Sequence, residues 1–309
     1  MLAPSQRRVK KGRRGSHTNK MSNALAALLF RLLSRLPLPV LHGLGAAAGR
    51  AVYLLSAGYR RTLRANLALA LGDERARRLS GEVAGETGKM ILELPKLWVP
   101  PLAEVAAMVR AVSGWELLEE AWARGEGVLL IAPHLGCFDM VAQFMATRAP
   151  MTALYRPPRQ AWLRPLVEAG RRRDRLTLVP TDLSGVRAML RALKRRETVG
   201  ILPDQAPSAG EGRWLPFFGR PAYTMTLAAR LSEAGRVTAI LAFAERRPHG
   251  AGYDVQFHPL PEPLDGDTEA RAAALNRASE WLIRRCPQQY LWGYNRYKVP
   301  SGAEPPPAA

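Results

Sequence analysis

The sequence of 309 residues predicts an α/β protein built on a single mixed β-sheet flanked by helices. Short apolar runs alternate with segments of helical periodicity, which is typical of a sheet covered by helices. Two longer apolar runs near the C-terminus are separated by a Pro/Gly turn, which favours an antiparallel pair within that sheet. Hydrophobic residues make up 47% of the chain and charged residues 23%, which excludes a wholly disordered chain.

Each element of this α/β body follows from a local pattern. Apolar runs predict strands at Gly127–Pro133, Thr152–Arg156, Leu176–Pro180, Thr198–Pro203, Val237–Arg246 and Tyr253–Leu260. Helical patterns cover Arg75–Met108, Val186–Arg196, Thr224–Ala234 and Thr268–Cys286. The first of these helical segments is interrupted by prolines and places Glu82, Glu86 and Glu93 on its polar side.

The charge is concentrated at the front of the chain. Of 45 Lys and Arg residues, 13 precede Asp73, and none of the 26 Asp and Glu residues does. A basic segment of this kind is attracted to a polyanion, either nucleic acid or an anionic membrane surface. The basic residues are interleaved with Leu and Ala rather than with aromatic residues, which favours the membrane and disfavours nucleic acid.

The apolar residues of this front segment support the same interpretation. Six leucines from Leu25 to Leu36 form one helical stripe that ends at Pro37, and a second apolar stretch runs from Val40 to Ala57. Neither stretch has the roughly 18 uninterrupted apolar residues of a clear membrane span. The segment therefore predicts an amphipathic or hydrophobic helical membrane anchor, which either lies on the bilayer or crosses it. The alternative is a helix that packs on the protein's own core.

These patterns divide the chain into four parts. Residues 1–20 are expected to be a disordered basic extension, and Met21 is an alternative start. Residues 21–58 form the membrane-associating segment, residues 59–299 the α/β domain, and residues 300–309 a flexible Pro/Ala-rich tail. A secretory signal peptide fits poorly, because no clear cleavage site follows the short apolar core.

His134 is the candidate catalytic histidine, because it directly follows a buried strand, where catalytic groups of α/β folds collect. Asp139 follows five residues later and could fix the imidazole tautomer if His134 lies in the turn and Asp139 in the first helical turn. The alternative is a structural strand-end histidine beside an acid favoured by the helix dipole. Cys137 lies between them, and a small buried residue is preferred over a nucleophile there.

Two further clusters are candidates for substrate binding. Arg156, Arg171 and Arg173 belong to a cationic stretch, and guanidinium groups bind phosphate and carboxylate in a bidentate manner. Asp204 ends another strand, and the loop after it closes on Phe217, Phe218 and Gly219, an apolar run that suits the wall or lid of a pocket. Solvated arginines and a loop anchored to the core are the alternatives. The sequence contains no metal-binding motif, and no cofactor is expected.

Five segments together resemble the bacterial lipid A biosynthesis acyltransferases, within the wider lysophospholipid acyltransferase superfamily. The matching segments, in order, are RRTLRANLALALG, APHLGCFDM, LYRPPRQAWLRPLVEAGRRR, ETVGILPDQ with LPFFGRPAYT, and QQYLWGYNRYK. Each segment alone is weak, but five in the right order are specific. Many family members carry Glu where this chain has Asp139.

The resemblance implies a glycerolipid acyltransferase-like fold and O-acyl transfer from an acyl thioester to a hydroxyl of a lipid A precursor. His134, oriented by Asp139, would act as general base. Arg156, Arg171, Arg173, Asp204, Phe217, Phe218 and Gly219 would serve substrate binding. The implied partners are acyl carrier protein as donor, the glycolipid acceptor and an anionic membrane surface. The implied location is the cytoplasmic face of the inner membrane.

Three alternatives stay open. The donor could be a coenzyme A thioester, and the acceptor could be a lysophospholipid or another glycolipid. A different class of function is a non-catalytic basic protein that binds membrane or nucleic acid through its front segment alone.

Overall fold

The computed structural model describes residues 15–155 and 164–307, and in it helices and strands alternate along the chain. The helices are α1 (Gly15–Arg35), α2 (Leu38–Leu55), α3 (Ala57–Leu71), α4 (Asp73–Leu92), α5 (Leu94–Trp98), α6 (Leu102–Ala106), α7 (Glu116–Ala123), α8 (Phe138–Arg148), α9 (Arg164–Arg171), α10 (Leu183–Lys194), α11 (Leu227–Ser232) and α12 (Thr268–Arg285). The strands are β1 (Val109–Ser113), β2 (Gly127–Ile131), β3 (Met151–Tyr155), β4 (Leu176–Pro180), β5 (Thr198–Ile201), β6 (Gly212–Phe217), β7 (Arg220–Met225), β8 (Val237–Arg246) and β9 (Tyr253–Pro259).

Seven strands form one mixed sheet, in the order β1-β9-β8-β2-β5-β3-β4. All neighbouring strands are parallel except β8 and β9, which pair antiparallel across the turn that the sequence predicts. β2 lies in the middle of the sheet, between β8 and β5. All five residues of β2 are buried, as expected for a parallel strand with both faces covered.

The hydrophobic core has two layers, one on each face of the sheet. Leu129 and Ile131 of β2 face a layer that contains residues of α3, α4, α10, α11 and α12. Val128 and Leu130 face the other layer, which contains residues of α5, α7 and α8. Successive side chains of a strand point to opposite faces, so the apolar run of β2 contributes to both layers. The α/β class with helices on both faces is therefore confirmed.

Two predicted helical segments differ from the structure, and one edge strand has no counterpart in the prediction. The segment expected to be a helix from Thr224 begins as strand β7, and α11 starts only at Leu227, because β7 pairs with β6 in a separate two-stranded hairpin. The helical segment before Met108 is divided into α4, α5 and α6, since Pro95 opens α5 and Pro101 precedes α6. The edge strand β1 was not predicted, because it is short and largely exposed.

At the front of the chain, α1 begins at Gly15, inside the segment expected to be disordered, whereas residues 1–14 lie outside the described part. α2 follows α1 after Pro37 and packs along α4. Of the described residues, α2 is the one helix that is long and apolar enough to cross a membrane by length and composition. A third of its residues are buried in the protein.

A buried ionic cluster joins this front segment to the sheet. The carboxylate of Glu93, which follows α4, accepts hydrogen bonds from Arg246 at the end of β8 and from the Tyr253 hydroxyl of β9. Its Oε2 also lies 3.0 Å from His42 Nε2 of α2. The prediction that Glu93 lies on a polar side is wrong, because the side chain is fully buried. The glutamate is tolerated there because three neighbours satisfy its oxygens.

The cluster predicts a pH-dependent contribution to stability. Burial disfavours the charged carboxylate, but Arg246 and His42 outweigh burial and lower the pKa of Glu93 from 4.5 to about 2. A lowered folded-state pKa stabilises the fold above the unfolded-state value and loses that effect as the pH falls towards the folded-state value. The contribution of Glu93 is therefore complete above about pH 4.5 and is lost between there and about pH 2.

We expect Glu93→Gln to lower the free energy of unfolding by about 3–5 kcal/mol at neutral pH, because the buried Arg246 loses the carboxylate at 2.7 Å and keeps only Glu86, 3.6 Å away. The difference from the parent chain should shrink as the pH falls below about 4.5. Urea unfolding at several pH values measures both effects. Glu74→Gln is the matched control, because Glu74 forms an exposed pair with Arg78 and should change stability little. A pH-independent difference for Glu93→Gln would contradict the prediction.

Candidate functional site

His134 and Asp204 meet because β2 and β5 are parallel neighbours in register. Ile131 ends β2 and pairs with Ile201, which ends β5. His134 and Asp204 each lie three residues beyond these partners, so both side chains reach the same edge of the sheet. This is the carboxyl edge of the parallel strands, where polar functional groups of α/β folds collect.

Asp204 holds His134 by two hydrogen bonds. The backbone N–H of His134 donates to Oδ2 at 3.0 Å, and Nδ1 lies 2.8 Å from Oδ1. Burial opposes the charge of the Asp204 carboxylate, but the contacts with His134 outweigh burial and lower the pKa of Asp204 below its usual value. An ionised carboxylate can only accept, so the Nδ1–H group donates to Asp204 Oδ1. This contact fixes the orientation of the ring and leaves Nε2 on the side away from the carboxylate.

The surroundings of the imidazole are part apolar and part polar. The ring of Phe138 packs edge-on against His134, with 4.9 Å between centroids. The side-chain nitrogen of Gln205 lies 3.2 Å from His134 Nε2, within hydrogen-bonding distance. The imidazole is 16% exposed, so a reacting group can reach it from outside. Gln205 belongs to the strand-end cluster with Asp204 that the sequence indicates, whereas Phe138 was not singled out, although it adjoins Cys137 and Asp139.

The contact expected between Asp139 and His134 is replaced by another pairing. Asp139 lies in the first turn of α8, and its two oxygens accept hydrogen bonds from Arg171 Nε and Nη2 at 2.8 and 2.9 Å. Asp204 occupies the position at Nδ1 that the sequence analysis gave to Asp139. The spacing of His134 and Asp139 along the chain could not reveal this, because Asp204 comes from a neighbouring strand 70 residues away.

The predicted binding arginines are held internally. Arg171 is hydrogen-bonded to Asp139, and its guanidinium also lies over the Trp98 ring, 5.4 Å from the ring centroid. Although burial opposes its charge, Asp139 raises the pKa of Arg171 above its ordinary value. Arg173 donates to the side-chain oxygen of Gln143 at 2.7 Å and to two backbone carbonyls. Arg156 lies outside the described residues.

The predicted apolar wall is part of the core. Gly219 lies in the turn between β6 and β7 at φ 76°, a conformation that glycine adopts without strain. Phe217 and Phe218 are buried, with ring centroids 4.8 Å apart, and the N–H of Phe218 donates to Glu280 of α12 at 2.7 Å. Of the two interpretations of this segment, a pocket wall and a loop anchored to the core, the arrangement agrees with the anchored loop. Substrate binding by these residues stays a prediction.

The loop that carries His134 is fixed on both sides. On one side, Leu135 pairs with Tyr290, and Leu291 N donates to His134 O at 3.1 Å. Tyr290 is buried, and burial together with the charge of Asp204 raises the pKa of its hydroxyl well above the usual value. The C-terminal segment was noted in the sequence only through its family likeness.

On the other side, the loop rests against β8. Cys137 N donates to Ala244 O at 2.7 Å, and Arg246 Nη2 donates to Gly136 O at 2.8 Å. Gly136 has φ 60°, and a Cβ there would lie 2.1 Å from Ala244 O, so the close approach requires glycine. Cys137 is buried, and burial raises the pKa of its thiol well above the usual value. This agrees with the preferred interpretation of Cys137 as a small buried residue.

We expect Asp139 and Arg171 to be energetically coupled. Arg171→Ala leaves a buried carboxylate unpaired and should cost about 3–5 kcal/mol in the free energy of unfolding, as should Asp139→Ala. The double variant should cost clearly less than the sum of the two single changes. A double-mutant cycle by urea unfolding measures this coupling. The exposed pair of Arg213 and Glu269 is the control cycle and should give at most about 1 kcal/mol. Additive single changes would refute the coupling.

Comparison with known proteins finds the same family that the five sequence segments resemble. The model of a family described as bacterial lipid A biosynthesis acyltransferase matches residues 9–299. The chain is 28% identical to the lipid A biosynthesis lauroyltransferase of Escherichia coli (strain K12), over 87% of this chain and 88% of the relative. It is 27% identical to the lipid A biosynthesis palmitoleoyltransferase of the same strain, over 86% and 87%. A lipid A biosynthesis acyltransferase of Haemophilus influenzae is also 27% identical, over 89% of both chains.

Proposed function

Because the chain belongs to the bacterial lipid A biosynthesis acyltransferase family, whose members are O-acyltransferases, we propose a specific form of that reaction. The protein moves a fatty acyl chain from an acyl carrier protein thioester to a hydroxyl of a lipid A precursor. It does so at the cytoplasmic face of the inner membrane, with His134 as general base. The observation that carries the proposal is the 2.8 Å contact between His134 Nδ1 and Asp204 Oδ1 at the carboxyl edge of the sheet.

The chemistry proceeds by direct attack. The acceptor hydroxyl gives its proton to His134 Nε2 while its oxygen attacks the thioester carbonyl carbon. The imidazolium formed is stabilised by the Asp204 carboxylate, which keeps its charge and accepts the Nδ1–H bond. When the tetrahedral intermediate collapses, the C–S bond breaks and the thiolate leaves with the proton from Nε2. The products are an ester and a free thiol, so no acyl-enzyme is required.

Two neighbours complete this proposal. The Gln205 amide lies where the hydroxyl must approach Nε2 and therefore has to turn aside when the acceptor binds. The oxyanion needs hydrogen-bond donors, and Arg171 and Arg173 are already engaged with internal groups. We assign that role to backbone N–H groups at the start of α8, which begins directly after the His134 loop.

The acidic carrier protein is supported by charge. The described body carries exposed arginines on its surface, among them Arg148 at the end of α8 and Arg172 and Arg175 before β4. A basic surface raises the rate of encounter with an acidic partner and makes binding sensitive to salt. The phosphates of coenzyme A would also respond to salt, so the donor assay compares the two kinds of thioester directly.

The reaction is tested by product mass. Purified full-length protein in detergent is incubated with acyl carrier protein thioesters, coenzyme A thioesters and a lipid A precursor. We expect the acceptor to gain one acyl group, and the thioester that reacts identifies the donor and the chain length. Transfer only to a lysophospholipid or another glycolipid would replace the proposed acceptor, and transfer only from coenzyme A the proposed donor.

His134→Ala should lower turnover in this assay on the order of 10²–10⁴-fold, because the base is lost. His249→Asn is the matched control, since His249 lies exposed in a turn at φ 57° that asparagine also adopts. Normal turnover by a folded His134→Ala protein would eliminate the general-base role. Unchanged membrane or nucleic-acid binding with no transfer by either protein would favour the non-catalytic alternative.

Asp204→Asn and Asp139→Asn separate the two candidate acids. Asp204→Asn removes the charge that stabilises the imidazolium, so kcat should fall on the order of 10²-fold or more with little change in KM. Asp139 acts through Arg171 rather than on the imidazole, so Asp139→Asn should lower kcat less, provided that both variants are assayed well below their melting temperatures. Steady-state kinetics of both variants and the parent protein measures these changes in kcat and KM. A larger loss for Asp139→Asn would return the orienting role to Asp139.

A further inference from the structure

The front helices leave an apolar surface that no part of the described chain covers. The exposed side chains of this surface are Leu25, Leu28, Leu29 and Leu32 of α1 and Val40, Leu44, Val52, Leu54 and Leu55 of α2. Leu25 is 68% exposed and Leu55 is 87% exposed, values unusual for leucine in a folded protein. Many exposed leucines and valines on two successive helices mark an interaction site.

The charge of the front helices indicates that a lipid bilayer, rather than another protein, covers these apolar side chains. The exposed residues of α1, α2 and α3 include Arg31, Arg35, Arg50, Arg61 and Arg64. No acidic residue precedes Asp73, so nothing in this part of the sequence offsets them. Apolar residues flanked by arginines fit the interface of an anionic bilayer, where the arginines meet the head groups and the leucines enter the acyl region.

The opposite face of α2 is docked on α4 with the backbones in contact. A Cβ added at Gly49 would lie 2.0 Å from Ala84 O, and one added at Gly88 would lie 1.9 Å from Gly45 O. Small residues four apart on each helix therefore let the two backbones touch. The helix that α2 touches is rich in charge, as its sequence DERARRLSGEVAGETGKMIL shows. Such a helix does not enter hydrocarbon, so α2 cannot be surrounded by lipid while it is docked.

Both ends of α2 are tied to the protein as well. Near its start, His42 contacts the buried carboxylate of Glu93. At its end, Tyr53 is buried, and its hydroxyl accepts a hydrogen bond from Arg64 Nε at 2.7 Å. Arg60 caps the last turn by donating to the carbonyl oxygens of Tyr53 and Leu54. Crossing the bilayer would break these contacts and leave the buried Glu93 carboxylate without His42.

We propose that α1 and α2 form a monotopic anchor that lies flat in one leaflet of an anionic bilayer, and that α2 does not cross it. The 18 residues of α2 span about 27 Å, close to the hydrocarbon core of about 30 Å, so its contacts with α4 rather than its length argue against crossing. This arrangement is independent of the acyl-transfer chemistry and would stand if another lipid were the acceptor.

The first test measures depth with the full-length protein in vesicles of phosphatidylethanolamine and phosphatidylglycerol. Nitroxide labels are placed one at a time through Leu44→Cys, Ala48→Cys and Val52→Cys, on the exposed face of α2. The native Cys137 and Cys286 are buried and should not take up the label. A flat helix places all three labels at the same depth, about 5–10 Å below the head groups. A spanning helix separates the first and last by about 12 Å in depth, and that result would overturn the proposal.

The second test uses two glycines of the same helix. Gly49→Ala and Gly43→Ala add the same methyl group to the same apolar segment, so they change its hydropathy equally. A Cβ at Gly43 has no atom within 4 Å, whereas one at Gly49 meets the α4 backbone. We expect Gly49→Ala to lower the melting temperature in vesicles and Gly43→Ala to leave it unchanged or raised. Equal behaviour of the two variants would mean that α2 has left α4, and would overturn the proposal.

The lipid charge is tested with the same labels. Removing phosphatidylglycerol from the vesicles, or raising the salt concentration, should reduce the bound fraction several-fold, since the arginines lose their partners. If the bound fraction does not change in either case, the arginines do not bind anionic head groups, and that part of the proposal is wrong.

Discussion

The rest of the structure depends on the hydrogen bonds that the buried carboxylate of Glu93 accepts. It receives His42 from the front helices, Arg246 from β8 and Tyr253 from β9 within one buried cluster. Arg246 uses the same guanidinium to bind Gly136 O in the loop that carries His134. A buried charge is tolerated only when its partners are complete, so these four elements must be in place together. The anchor, the sheet and the site are thereby parts of one polar arrangement.

The position of the base follows from strand register rather than from a local motif. β2 and β5 end level with each other, and the residues three positions further on are His134 and Asp204. The loop between β2 and α8 is then held by the C-terminal segment on one side and by β8 on the other. Such support from two directions keeps an imidazole in one orientation, which general-base chemistry requires.

The sequence predicts what depends on local pattern and misses what depends on pairing over long distances. The runs at Val237–Arg246 and Leu176–Pro180 were placed correctly, because a buried strand is visible in its own residues. The partner of His134 was misplaced, since no local spacing reveals which strand lies beside β2. Glu93 was assigned to a polar face for the same reason: its partners lie on α2, β8 and β9, and helical periodicity alone places a glutamate towards solvent.

The link from the anchor to the site has a consequence for acyl transfer to a lipid. A flexible tether would let the base take any height above the membrane, and the acceptor hydroxyl would meet it only by chance. Here α2 contacts Glu93, Glu93 binds Arg246, and Arg246 binds the loop of His134. Each contact is buried and short, so little freedom is left between the helix at the interface and the imidazole. Under the proposed anchoring and acyl transfer, the front helices are a spacer that holds His134 at one height from the head groups and removes part of the orientational cost of bringing a lipid hydroxyl to Nε2.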